Sequence, residues 1–225
     1  MIITIDGPAG SGKSTVAKRL AEKLNIYYLY TGLLYRAVAY VLINTFKKKL
    51  SDLELLSPKD LEFIKSISYE YYVIGKEKPE PQIFYDKENL TANLYLSDLD
   101  QPASIVSAIP IVREFLLEVQ QNIASKYSLV ADGRDCGSVV FPKADYKFYL
   151  TADLDSRANR IYTDSQRKNS NLTLEQIKKE LQIRDKRDME RQCAPLTIPN
   201  NAIIIDNSNM TVDQTLDEFL RFIKK

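Results

Sequence analysis

Eight residues near the start constrain this chain more than any others. Gly7-Pro8-Ala9-Gly10-Ser11-Gly12-Lys13-Ser14 fits the pattern G-x-x-x-x-G-K-[ST]. Met1 to Asp6 reads as a short apolar strand, and Thr15 to Leu24 continues with helical spacing. Strand, glycine loop and helix in that order are the context a phosphate-binding loop requires. Glycines let backbone N–H groups turn inward around phosphate oxygens. The helix N-terminus adds partial positive charge. Lys13 then reaches the β- and γ-phosphates, and the Ser14 hydroxyl ligates Mg²⁺. The expectation is a nucleoside triphosphate held by residues Gly7 to Thr15, with Mg²⁺.

The remaining composition narrows the class. At 225 residues the chain can bury a large core. Its net charge of +1 gives no global field toward nucleic acid or membrane. Six of the eleven arginines fall between Arg157 and Arg191, which points to local anion handling. Two cysteines, Cys136 and Cys193, and no histidine argue against a zinc site and against a cysteine nucleophile. Few thiols suit a reducing cytoplasm. The first strand leaves no room for a signal peptide, and the most apolar run, Ala37 to Ile43, is too short to span a bilayer. A soluble cytoplasmic protein is expected.

Along the chain, Leu24-Asn25 reads as a helix stop and Ile26 to Tyr30 as a short strand. Thr31 is placed as the cap of a helix running through Leu33, Leu34, Ala37, Val38, Val41 and Leu42. Arg36, isolated on that apolar helix, reads as a ligand contact. Ser57-Pro58-Lys59-Asp60 opens a further helix. Ser68 to Ile74 and Gln82 to Tyr85 read as strands, with a short third near Leu90, and form a hairpin-rich insertion. Two helices, Ser97 to Ile109 and Pro110 to Lys126, are divided by Pro110. Tyr127 to Ala131 is a buried-type strand ending in Asp132-Gly133-Arg134-Asp135, where α/β sheets bind ligands. Tyr146 to Leu150 and Ala202 to Ile205 are further core strands. A basic helix begins at Asp153, Thr173 starts another with a capping box, and Val212 to Ile223 closes the chain as an amphipathic helix. This alternation predicts an α/β fold: a parallel sheet with helices on both faces and a small antiparallel sheet inserted.

A phosphoryl transferase must neutralise two anions and exclude water. Arg36, Arg134 and Arg191 are candidates for an acceptor phosphate. The helix and polar break from Arg157 to Ser170 are candidates for a lid. Asp132 ends its strand as a carboxylate near Mg²⁺ would, reaching the ion through water.

The chain resembles the bacterial-type cytidylate kinases of the nucleoside monophosphate kinase family. The resemblance rests on Ile5 to Lys13, on Thr31-Gly32 with Tyr35-Arg36, and on Ala103-Ser104 followed by Pro110-x-Val112-Arg113-Glu114. It continues in Ala131 to Pro142 and in Arg184-Asp185-x-Arg187-Asp188-x-x-Arg191-x-x-Ala194-Pro195-Leu196. It implies phosphoryl transfer from ATP to CMP or dCMP by a P-loop kinase, expected to be a monomer with no nucleic acid or membrane partner. It implies that Ser104, Arg113 and Asp135 read cytosine, that Arg36, Arg134 and Arg191 hold the CMP phosphate, and that Thr31 belongs to the CMP site. Arg184 and Asp188 would lie near the sugar, and Arg157 at the lid. Lys13, Asp132, Arg134 and Arg157 are the expected catalytic set. The implied organisation is a P-loop core of 1–36, 127–154 and 171–225, a monophosphate-binding region of 37–126 with an insertion at about 60–97, and a lid of 155–170.

Tyr30, Tyr95, Gln121 and Ile161 depart from the family pattern. Two other readings compete. One is a kinase of the same fold acting on UMP, AMP or shikimate. The other is a nucleotide-driven switch or a non-catalytic scaffold. No N-K-x-D motif supports the switch.

Overall fold

Five strands form the sheet that carries the glycine loop. They are β1 (Ile2–Asp6), β2 (Tyr27–Tyr30), β6 (Leu129–Gly133), β7 (Tyr146–Thr151) and β8 (Ile203–Asp206), in the order β2-β6-β1-β7-β8. These come from a computed structural model that describes residues 1–72, 79–95, 97–164 and 172–223. β1 pairs in parallel with β6 on one side and β7 on the other, and β8 runs parallel to β7. The register sets Ile5 opposite Asp132 and Asp6 opposite Gly133. The ends of β1 and β6 therefore come level, and β1 is the strand at which the chain order reverses. Such a switch point leaves a crevice beyond the strand C-termini.

The chain divides into two units, Met1–Leu29 with Lys126–Lys225, and Tyr30–Ser125. In the first, Ile3 and Ile5 of β1, Val130 of β6, and Phe148 and Leu150 of β7 are buried with Val16, Ala17 and Leu20 of α1 (Lys13–Leu24). Phe219 of α7 (Val212–Phe222) completes this cluster, its ring 4.5 Å from that of Phe148. Strands buried on both faces need near-continuous apolar sequence, and β1 and β6 supply it. A second cluster joins Ala9 of the loop to Ala158 of α5 (Leu154–Thr163) and to Ile177 and Leu181 of α6 (Leu174–Glu190). Asn25 ends α1 in the left-handed region, φ 56°, with its N–H on Ala21 and Glu22 carbonyls. Thr173 and Gln176 close the capping box expected at α6.

The second unit begins with α2 (Thr31–Tyr40), continued by a π-helical turn, Val41–Thr45. Thr31 is not the cap. Tyr30 holds that position without a side-chain cap bond, because β2 runs directly into the helix. The expected core limit after residue 36 and this unit boundary thus differ by the first turns of α2. Ser57 and Asp60 form a capping box on the 3₁₀ helix Pro58–Ser66. The insertion folds as an antiparallel sheet of β3 (Ile67–Tyr72), β4 (Glu80–Tyr85) and β5 (Glu88–Asn89). The part of it at 73–78 lies outside the described residues. Two helices follow as expected around Pro110, shorter than anticipated: α3 (Asp100–Val106) and α4 (Pro110–Ala124). Among the described residues no helix is long and apolar enough to cross a membrane.

Candidate active site

The glycine loop leaves β1 by a turn that only glycine accommodates. Gly7 has φ +148°, and a Cβ there would lie 2.0 Å from the Leu150 carbonyl oxygen of β7. Gly7→Ala is expected to lose about 3 kcal/mol of stability, because backbone rather than a side-chain tip must move. A thermal melt should show Tm lower by roughly 6–12 °C; an unchanged Tm would contradict this account of the turn. At the other end of the loop, Gly12 is the N-cap of α1 in the left-handed region, and the first turn of α1 holds no acidic residue. The positive end of the helix dipole is thus left for an anion.

Lys13 is buried and bends back over the loop, donating to the Pro8 carbonyl at 2.7 Å. Burial, and then the Arg134 guanidinium, push its pKa well below the usual lysine value. Asp132 opposes that shift, Arg184 adds to it, and Asp188 opposes it. Two cations near a buried ammonium make an environment that a polyanion relieves. Asp132 accepts from the Ser14 hydroxyl at 2.7 Å and from the Tyr28 hydroxyl at 2.8 Å. Burial raises its pKa, while Lys13 and these two hydrogen bonds favour its ionised form. The Ser14–Asp132 pair supplies two hard oxygen donors of the kind Mg²⁺ accepts. Among the described residues no group of three or more His, Cys, Asp or Glu forms a cage. The donor set therefore fits an ion that takes most of its ligands from phosphate and water.

Helix α6 supplies the order around these groups. Its buried residues are Ile177, Leu181, Asp185 and Asp188, one stripe at helical spacing whose last two members are carboxylates. Asp185 accepts from Arg157 at 2.6 Å and from the Ala9 N–H at 3.3 Å. Arg157 also donates to the Ala9 carbonyl at 3.0 Å and to the Ala152 carbonyl at 3.0 Å. Both backbone groups of Ala9 are thus held by one ion pair. Asp188 accepts from Arg134 at 2.8 Å. Burial would raise its pKa, but Arg134, Arg184 and Arg191 hold it below the ordinary value. Arg191 reaches Asp135 at 3.2 Å and the Ala194 carbonyl at 2.7 Å. Arg160 and Asn207 both donate to the Ser11 carbonyl, at 3.2 and 3.0 Å.

The first unit thereby gathers Lys13, Ser14, Asp132, Arg134, Asp135, Arg157, Arg184, Asp188 and Arg191 around the loop. Thr15 turns an exposed side chain outward from α1. Ile161 packs against the Ala9–Ala158 cluster. Residues 165–170 of the expected lid lie outside the described residues.

In the second unit Arg36 is buried, paired with Asp100 and donating to the Leu94 carbonyl at 3.1 Å. Arg113 donates to the Ser107 carbonyl at 3.0 Å, and its guanidinium stands 5.5 Å from the Tyr35 ring centre. Ser107 in turn donates to the Ser104 carbonyl at 2.8 Å. Arg113 of α4 is thus tied to the chain just beyond α3, three residues after Ser104, with Tyr35 of α2 beside it. Thr31 is buried at the start of α2. Of the departures in this unit, the Tyr30 N–H donates to the Tyr69 hydroxyl at 3.1 Å, while Tyr95 and Gln121 are exposed.

Sequence reasoning missed Tyr28, Asp100, Asp185 and Asn207. Only Asp185 left a signal, as a carboxylate continuing the apolar stripe of its helix. The other three act across long stretches of chain.

A family model described as cytidylate kinase matches residues 3–225. A cytidylate kinase from Caldanaerobacter subterraneus subsp. tengcongensis is 37% identical over 223 residues, covering 99% of this chain and 94% of that protein. One from Coxiella burnetii is 38% identical over 224 residues, covering 100% and 92%. An uncharacterized protein from Eubacterium ventriosum, of known crystal structure, shares the fold with a TM-score of 0.55 at 16% identity, covering 99% of this chain and 98% of that one.

Proposed function

The chain belongs to the cytidylate kinase family, and we propose that it transfers the γ-phosphoryl group of ATP to CMP or dCMP, giving ADP and CDP or dCDP. The observation that carries the reading is Lys13, buried in the glycine loop and crowded by the Arg134 and Arg184 charges. An acceptor phosphate oxygen attacks the γ-phosphorus, the bond to the β–γ bridging oxygen breaks, and ADP leaves. The attacking phosphate is already largely ionised near neutral pH, its second pKa being about 6. Catalysis then needs positioning and charge neutralisation more than a general base. Lys13 and the loop amides take the donor phosphates. Arg134, Arg191 and Arg36 are assigned to the acceptor phosphate, Arg157 to the transferring group, and Arg184 and Asp188 to the sugar. Mg²⁺, when bound beside Ser14 and Asp132, would neutralise donor phosphate charge.

Ser104, Arg113 and Asp135 are assigned to cytosine, and Thr31 to CMP binding. A carboxylate accepts from the N4 amino group, and arginine or serine donates to O2 and N3. Residues 37–126 are assigned to monophosphate binding, with 155–170 as the lid. The near-zero net charge supports small nucleotides rather than nucleic acid as partners. A monomer working in the cytoplasm is the simplest form consistent with this reading.

Initial rates with ATP and each of CMP, dCMP, UMP and AMP test the assignment. CMP or dCMP should be fastest, and a UMP or AMP rate equal to both would overturn it. Asp135→Ala should lower the CMP-to-UMP ratio of kcat/KM by at least about tenfold, since a site built to pair a polar group rejects its absence strongly. An unchanged ratio would remove Asp135 from base reading.

A further inference from the structure

We propose that Asp6 is a positioning residue for the acceptor chemistry: its carboxylate clamps the backbone leaving Asp135 and so fixes how Arg134 and Asp135 are presented. The inference rests on the reading of this chain as a CMP kinase. Asp6 is the last residue of β1 and directly precedes Gly7. It is fully buried, and its two oxygens accept from consecutive amides, Cys136 N–H at 2.8 Å and Gly137 N–H at 2.7 Å. Charge-assisted bonds to two adjacent donors fix orientation as well as distance. Those amides open the π-helical turn Cys136–Val140, which begins immediately after Asp135.

Gly137 provides an independent sign of the same clamp. A Cβ at that position would lie 2.7 Å from Thr4 Oγ1, 3.0 Å from Pro199 Cγ and 3.3 Å from Asp6 Oδ2. A side chain there would meet Thr4 first and would press on the Asp6 carboxylate as well. Asp135 itself sits at φ −144°, ψ 18°, outside the regular helical and strand regions. The two amides that follow are what Asp6 secures. Asp135 then meets Arg191, and Arg134 meets Asp188, from a fixed backbone.

The charged and titratable groups facing Asp6 are Asp135 on the turn, Lys13 on α1 and Tyr149 on β7. Burial raises its pKa to about 6, opposed by the two amides, raised further by Asp135 and lowered by Lys13. The ionised carboxylate is the form that accepts both amides most strongly.

Asp6→Asn keeps the shape but presents an NH₂ group to one of the two amides. In steady-state kinetics its kcat/KM for CMP should fall by about 10- to 100-fold through a raised KM for CMP, as expected of a small misplacement. KM for ATP should stay near wild type. A parallel rise in both KM values, or no change in either, would overturn the positioning role. Gly137→Ala should give the same split between CMP and ATP. Should either variant fail to fold, the wild-type enzyme decides: the Cys136 and Gly137 amide NMR signals should shift with a single common midpoint on pH titration. Unrelated midpoints, or no shift, would overturn the clamp. A wild-type enzyme that failed to phosphorylate CMP would refute the functional reading instead, and the amide titration would still judge Asp6.

Discussion

Lys13→Ala is expected to lower kcat by about 10²- to 10³-fold, the usual effect of removing a preorganised charge from a developing anion. The ammonium is buried, tied to the Pro8 carbonyl and pushed down in pKa by burial and Arg134. Little folding energy rests on such a cation, so the melting temperature should change far less than the rate. Under the proposed function, donor phosphate is the partner that compensates its burial. Kinetics and a thermal melt on the same sample check both halves. A kcat near wild type would contradict the placement of the γ-phosphate at Lys13. A collapsed melt with an unaltered rate per folded molecule would make the residue structural.

Arg134→Ala is expected to cost about 3 kcal/mol of stability, because removing one partner of a buried pair leaves the other uncompensated. The Asp188 side chain is only 4% exposed and the Arg134 side chain 17%. Arg184 and Arg191 also favour ionised Asp188, which keeps the loss at the lower end of that class. The sign with pH follows from the depressed Asp188 pKa. A carboxylate whose folded pKa is depressed contributes stability above its unfolded value, near 3.9, and loses it as pH falls through the folded value. The gap between wild type and Arg134→Ala should therefore narrow as pH drops below about 4. Denaturant unfolding at neutral and acid pH measures this; an equal gap at both would contradict it. Turnover should fall as well, since Arg134 is assigned to the acceptor phosphate.

The glycine loop, its flanking strand and helix, and the core strands were legible because each has a local cause. Apolar runs of strand length, a capping box at Thr173 and a proline at 110 act over a few residues. The inserted sheet was legible for the same reason, from aromatic and β-branched runs separated by a turn. The two π-helical turns, Val41–Thr45 and Cys136–Val140, left no sign, since a single turn is too short to show a period. Thr31 looked like a cap by residue type, yet β2 feeds α2 without the break a cap requires. The run from Arg184 to Arg191 gave its charges but not its pairing. Reading Asp185 and Asp188 as continuing the Ile177–Leu181 stripe would have marked them as buried and paired with cations from other elements. The partner of Arg36 is Asp100, far along the chain, and no local pattern links them.

The central claim is transfer of phosphoryl from ATP to a cytidine monophosphate, and ³¹P NMR of a reaction containing ATP, CMP and Mg²⁺ tests it most directly. Each equivalent of ATP γ-phosphate lost should appear as the β-phosphate of CDP, with matching ADP and little free phosphate. Release of inorganic phosphate without CDP would contradict the account.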